Sequence, residues 1–264
     1  MNTTDPIQTD PFIVAGVYDD LHVWRYLNLA KYVSMLSTSS LYFSPLESMT
    51  DDPREGTLST PTRQAMKQAL QQQLEDAGLD GSIADKSAES QTDDYEKTIR
   101  KWVFVNCWSA HEGESAALWK IYAGDFGLAV RTTAGHLKNA TASSSAQLGF
   151  VTYTNYKNKV FRFGNANIFT PALHKRREFN YETEVRALIL GPRASTQSLA
   201  VPDLASSQPE AEHGLLVPVD LRQLVQGITI SPTSPRWFLD TVRDLTKRYG
   251  FDWSVNYSSL IDGE

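Results

Sequence analysis

Short bursts of alternating and periodic apolar residues run along this chain, and each predicts an element before any chemistry is considered. Leu21 to Tyr26 (LHVWRY) alternates at a period of two, which predicts a strand with His22, Trp24 and Tyr26 on one face and Val23 and Arg25 on the other. Asn28 is placed to cap a helix from Leu29 to Leu36, where Leu29, Tyr32, Val33 and Leu36 follow a 3.6-residue period. Leu41 to Ser44 (LYFS) reads as a second short strand. Pro45 to Gly56 reads as a turn-rich loop carrying the carboxylates Glu47, Asp51, Asp52 and Glu55. Gln64 to Leu74 has the pattern of a polar helix, and the Gly/Ser/Asp stretch 78–93 that of a mobile connection.

The centre of the chain, Lys101 to Arg131, is its most aromatic stretch. An apolar run from Trp102 to Cys107 predicts a buried strand, followed by a turn through Ser109, His111 and Gly113. Glu114 or Ser115 starts a short helix over Ala116 to Tyr122, Gly124-Asp125 closes it, and a strand from Phe126 to Arg131 leaves. Strand, polar elbow, short helix and strand together form a pocket wall, here of Trp108, Trp119 and Tyr122 with Ser109 and Ser115 between them. The competing reading is structural, because tryptophans at such spacings most often serve as core.

Farther on, Gly135 to Ala146 predicts a short helix and Leu148 to Tyr153 a strand. Leu173 to Leu190 predicts a basic turn or helix, then a strand alternating Glu182, Glu184 and Arg186 against Thr183, Val185 and Ala187. Residues 191–214 lack periodicity and read as a long surface loop. Leu215 to Val219, Ile228 to Ile230 and Trp253 to Val255 read as short strands. Ser234 to Tyr249 has the marks of a helix: a serine cap, proline at the first position, the apolar set Trp237, Phe238, Val242 and Leu245, and Gly250 as its stop. Helices and strands mix without a βαβ rhythm, so the expected class is α+β. Residues 1–20 are expected to form a flexible arm and residues 21–264 a single domain.

Composition narrows the function classes. Apolar residues make up 41% and charged residues 21%, and the formal charge is −6, which argues against a broad electrostatic footprint on nucleic acid. Neither a signal peptide nor a membrane span is visible, and the single cysteine forms no internal disulfide, so a cytoplasmic location is expected. Five scattered histidines and one cysteine offer no metal-ligand spacing, and phosphate-loop and nucleophile-elbow motifs are absent. No metal is expected.

Four groups of residues remain as chemistry. Arg25, on the first strand, has the planar fork that suits a pyrophosphate or carboxylate, or else makes a surface salt bridge. Tyr42 and Ser44 end the second strand. Trp108, Ser109, Ser115 and Trp119 lie in the central wall. Glu182 and Glu184 stand two residues apart, and like charges so placed repel unless a cation lies between them. That cation is either Arg186 or a substrate that becomes positive in its transition state.

The segments WRY (24–26), LYFS (41–44), DDPREG (51–56), NCWSAHEGESAALWKIY (106–122), GLAVRTTAGHL (127–137), KRREFNYETEVRALI (175–189), VPVDL (217–221) and ISPTSPRWF (230–238) resemble, in order and spacing, a large uncharacterised bacterial family, domain-of-unknown-function family 2971. The resemblance runs from about Leu21 to Leu260. The layout is also similar to the ADP-ribosyltransferase fold, which implies a split mixed sheet with flanking helices, an activity on NAD, and transfer of ADP-ribose to a protein or nucleic-acid acceptor. A toxin or phage-defence role, with an antitoxin as a possible partner, is part of that implication. In this likeness Arg25 stands where the polymerase type has a first-strand histidine, as in the arginine-serine-glutamate toxin class, while CWSAHEGESAALW looks more like the polymerase type.

Cleavage of the nicotinamide–ribose bond passes through an oxocarbenium-like state, which a nearby carboxylate stabilises. The resemblance assigns that carboxylate to Glu184 and a base for the incoming nucleophile to Glu182. Arg25 would grip the pyrophosphate or the adenine-side ribose, Trp108 or Trp119 would stack on nicotinamide, Ser115 would anchor its amide or ribose, and Lys175, Arg176 and Arg177 would receive phosphates. Two other readings compete: a non-catalytic domain that recognises a nucleotide or partner, and a metal-dependent nuclease built on Asp51, Asp52, Glu182 and Glu184.

Overall fold

A computed structural model describes residues 18–161, 168–191 and 213–261. Most of the expected arm (residues 1–17 of 1–20) and most of the expected surface loop (192–212) lie outside these described residues. The fold is α+β, with a mixed sheet, nine-stranded among the described residues, flanked by helices.

Strand β1 (His22–Asn28) runs into helix α1 (Leu29–Thr38), whose start is fixed by the Asn28 side chain accepting the Lys31 N–H at 2.9 Å. Ser39, in the left-handed region (φ 48°), turns the chain into β2 (Ser40–Pro45). Helices α2 (Thr60–Asp76) and α3 (Gly81–Trp102) then pack as a hairpin, capped by Ser59 and Asp80. Helix α3 corrects the expected mobile connection over 78–93. Its buried face is built from Ala84, Ala88, Thr92, Ile99 and Trp102, which recur at three- to seven-residue intervals. The inward residues of its first half are too small to register as an apolar stripe.

Strand β3 (Val103–Ser109) follows, with Trp102 ending the helix rather than opening the strand. Ser115 caps α4 (Ala116–Leu118), which continues as a π-helical turn to Ala123, and Gly124, at φ 64°, releases the chain into β4 (Gly127–Thr133). Helix α5 (Ala134–Thr141), β5 (Gln147–Phe150), β6 (Thr152–Thr154), β7 (His174–Arg176), β8 (Glu184–Leu190), β9 (Leu215–Pro218), α6 (Leu221–Leu224), β10 (Gly227–Ile230), α7 (Arg236–Arg248) and β11 (Val255–Tyr257) complete the order. At α7 the expected serine cap is absent: Pro235 holds the cap position, and the Ser234 hydroxyl donates to the Asp125 carbonyl at 2.6 Å. Trp237, expected in the core, lies on the surface.

The sheet divides on β3. One edge of β3 pairs with β8 over its full length, from Val103↔Leu190 to Ser109↔Glu184. The other edge is shared: β2 pairs only at Val105 and Phe104, and β1 only at Ser109. Between those two points β1 and β2 separate. Strands β4, β10 and β11 extend the sheet beyond β1, and β9 extends it beyond β2. Both faces are covered, so β1 loses the alternating exposure its sequence suggests. Val23 and Leu27 join the main core with α1, α5, α6 and α7, while Trp24 and Tyr26 pack against Leu118 and Trp119 on the opposite face. Among the described residues no helix is long and apolar enough to cross a membrane.

Candidate functional site

Where β1 and β2 part, backbone pairing is interrupted and side chains take over. Asn106 Nδ2 donates to the Tyr42 carbonyl at 2.8 Å, and Arg25 Nη2 donates to the same oxygen at 3.3 Å. Trp108 Nε1 donates to Asn106 Oδ1 at 2.6 Å, fixing the amide that bridges the gap. A cavity of about 610 Å3 occupies this split, within the range of about 300–1,000 Å3 usual for small-molecule sites. Arg25, Tyr42, Ser44, Trp108, Ser109, Glu182 and Glu184 all line it. Residues from the start, middle and late parts of the chain thus meet on one crevice.

Two expected wall residues stand outside that lining. Ser115 faces its own helix, its Oγ accepting the Leu118 N–H, while its N–H donates to the Tyr26 hydroxyl at 2.8 Å. Trp119 packs edge-on against Tyr26, ring centroids 4.9 Å apart, and donates Nε1 to Glu114 at 2.9 Å. Trp108 reaches the cavity but is 98% covered, with the Arg25 guanidinium 5.9 Å above its ring. The exposed aromatics at the cavity are Tyr42 and Tyr122.

The carboxylates sit in a buried network. Thr183 adopts the left-handed region (φ 44°), so Glu182 ends a 3-10 turn and Glu184 begins β8. This corrects the expected strand alternation, because the two residues do not share one regular strand. Lys175 Nζ lies 2.5 Å from Glu182, 3.5 Å from Glu55 and 3.7 Å from Glu184. Arg186 grips Glu184 with Nη2 at 2.5 Å and Nε at 2.9 Å, and reaches Glu55 with Nη1 at 2.7 Å. The Tyr122 hydroxyl donates to Glu182 at 2.7 Å, and Ser109 Oγ donates to the Glu182 carbonyl at 2.7 Å. Three carboxylates thus face two cations, and one negative charge is in excess when all are ionised. The cation that lies between Glu182 and Glu184 is Lys175, whereas the expected Arg186 pairs Glu184 with Glu55 instead.

That arrangement splits the two glutamates. Burial, then the neighbouring charge of Glu184, raises the Glu182 carboxyl above its ordinary value, against the pull of Lys175. Burial also pushes Glu184 upward, but Arg186 and then Lys175 outweigh it and hold that carboxyl below its ordinary value. Burial, followed by Glu182, raises the Tyr122 phenol, keeping its proton available for the hydrogen bond. Arg25 differs from the other cations. Burial lowers it to about 10, only the Cys107 thiol opposes this, and among the described residues no carboxylate pairs with it. A guanidinium left without an internal counter-ion in a cavity is available to an anion.

Two members of the basic run expected to receive phosphates, Lys175 and Arg176, are otherwise engaged. Lys175 serves the carboxylates, and Arg176 binds Asp52 at 2.8 Å. Three of the four ligands of the metal-dependent nuclease are engaged too, since among the described residues Asp52, Glu182 and Glu184, though not Asp51, each hold a protein cation. Among the described residues no group of three or more His, Cys, Asp or Glu side chains is placed to hold a metal. Sequence reasoning missed Glu55, which is 1% exposed although it lies in a turn that looks solvated. Its partner Arg186 is 131 positions away, and no local pattern signals that contact. No protein-family model matches the chain, and no curated protein matches it.

Proposed function

We propose that the cavity binds NAD, cleaves its nicotinamide–ribose bond and transfers ADP-ribose to a protein or nucleic-acid acceptor, on an ADP-ribosyltransferase-like split sheet. The observation that carries this reading is the junction of an unpaired guanidinium, Arg25, with a buried, ionised carboxylate, Glu184, across one cavity in the parting of the strands. Arg25 receives the pyrophosphate. Glu184, fixed in its charged form by Arg186 and Lys175, faces the ribose and stabilises positive charge as nicotinamide departs. Because its orientation is set before substrate arrives, little reorganisation is needed in the transition state. Glu182, whose raised carboxyl brings its titration nearer to neutrality, accepts the proton of the incoming nucleophile, with Tyr122 orienting it. Tyr42 and Tyr122 provide the aromatic surface at the mouth, in place of Trp119.

Incubation with NAD and a cell lysate, followed by mass spectrometry for ADP-ribose on proteins and nucleic acids, tests the transfer. Modified acceptor with released nicotinamide is the expected result. A second reading has its own support: every carboxylate of the cluster is already engaged by a protein cation, which suits a domain that recognises a nucleotide without turning it over. Saturable NAD binding with no nicotinamide released would favour that reading and overturn the first.

A further inference from the structure

A second cavity, of about 310 Å3, lies beside the first and shares Trp24 with it. Strand register explains the relation. Glu184 pairs with Ser109, Ser109 with Trp24, Trp24 with Arg131, and Arg131 with Gly227, so these residues form one transverse row on one face of the sheet. At about 4.8 Å per strand, Arg131 stands three strands, or about 14 Å, from Glu184.

The second cavity is a polar recess centred on a free cation. Arg131 is exposed, its guanidinium lies 5.9 Å over the Trp24 ring, and among the described residues it has neither a carboxylate nor a hydrogen-bond acceptor for its side chain. Glu114 lines the same recess but is committed elsewhere: Oε1 accepts the Ser259 N–H at 2.8 Å and its hydroxyl at 3.0 Å, and Oε2 accepts Trp119 Nε1 at 2.9 Å. Gly227 keeps the floor open, because a Cβ there would lie 3.1 Å from Ser254 Oγ and 3.5 Å from Arg131 Nη2. Thr229 and Asn256 face each other in register on the same side, next to Ser254. The side chains of Thr229, Ser254 and Asn256 make no hydrogen bond among the described residues.

We propose that this recess is a second ligand site, which takes a phosphate group on Arg131 with Thr229, Ser254 and Asn256 supplying the remaining hydrogen bonds. The guanidinium provides the charge and the planar fork. Two hydroxyls and an amide provide neutral donors from other directions, which suits a tetrahedral oxyanion with several acceptor oxygens. The site stands on its own geometry and does not depend on NAD entering the first cavity.

Titration of the full chain with inorganic phosphate at low ionic strength, followed by calorimetry, tests it. The expected result is saturable binding with Kd below about 1 mM, weakened tenfold or more by Arg131→Met and less by Ser254→Ala combined with Asn256→Ala. Arg25→Met, which empties the first cavity of its free cation, leaves the Arg131-dependent binding in place. No saturable binding, equal affinity in Arg131→Met at an unchanged melting temperature, or loss in Arg25→Met instead would each overturn the proposal. Nicotinamide release, measured separately, reports on the first cavity alone.

Discussion

Two networks of the same residue types sit in opposite environments. On the α2–α3 hairpin, Arg63 meets Glu89 and Asp93 at 2.5 Å and Glu96 at 2.8 Å, and Lys67 meets Asp85 at 2.9 Å and Glu89 at 3.0 Å. At the cavity, Arg186 and Lys175 meet Glu55, Glu182 and Glu184 at comparable distances. The hairpin cations are 27–28% exposed, whereas the cavity side chains are 0–9% exposed. Geometry alone does not tell the two apart. Water does: in the hairpin it screens each charge, and at the cavity its absence makes every charge depend on its partner.

The largest effect is expected from breaking the buried network. Arg186→Met leaves Glu55 and Glu184 facing one another with only Lys175 between them. Removing one partner of a buried ion pair costs about 3–5 kcal/mol, to be read from denaturant unfolding. A loss no greater than that of a surface substitution would contradict the contrast.

Titration separates the two glutamates next. Glu184 is held below the ordinary carboxyl value of 4.5, so the stability it contributes is present above pH 4.5 and is lost as pH falls through its folded value. Glu182 is held above 4.5, so its contribution is present below that pH and is lost as pH rises through its folded value. Glu184→Gln should therefore flatten the acid limb of the stability profile, and Glu182→Gln the decline above pH 4.5. Opposite slopes would reverse the assignments. Glu89 on the hairpin is also lowered, by hydrogen bonds from Arg63 and then Lys67. Its acid sensitivity should vanish in salt, where that of Glu184 persists.

The smallest effect belongs to the wet network. Arg63→Ala should lower the melting temperature by no more than about 2–4 °C at low salt. Near 1 M salt, where the screening length is about 3 Å, the difference should be erased. A deficit that survives high salt would mean that Arg63 acts through packing rather than charge.

The same contrast explains which parts of the molecule were legible in its sequence. Helix α1 was readable because Asn28 caps it and Tyr32 and Leu36 repeat along one face. Helix α3 was not, because Ala84, Ala88 and Thr92 bury a face without bulk, and the Gly/Ser/Asp content suggested a connection. At the site, Arg25, Trp108, Glu182 and Glu184 could be singled out by type and local setting, and all four line the cavity. Glu55 could not, since a carboxylate in a DDPREG turn looks solvated until Lys175 and Arg186 arrive from more than a hundred residues away. Trp119 misled because an indole in the centre of a wall serves the core as readily as the pocket, and here it backs Tyr26.

The central claim is that a buried carboxylate held in its charged form by Arg186 and Lys175 makes the split of the sheet a site of NAD cleavage. Nicotinamide release from NAD, compared across the wild type, Glu184→Gln and Glu89→Gln at matched folded fractions, tests it most directly. The account predicts a fall of about 10²–10³-fold for Glu184→Gln, typical of removing a preorganised electrostatic group, and no change for Glu89→Gln. Equal rates in all three proteins, or no release by the wild type, would contradict it.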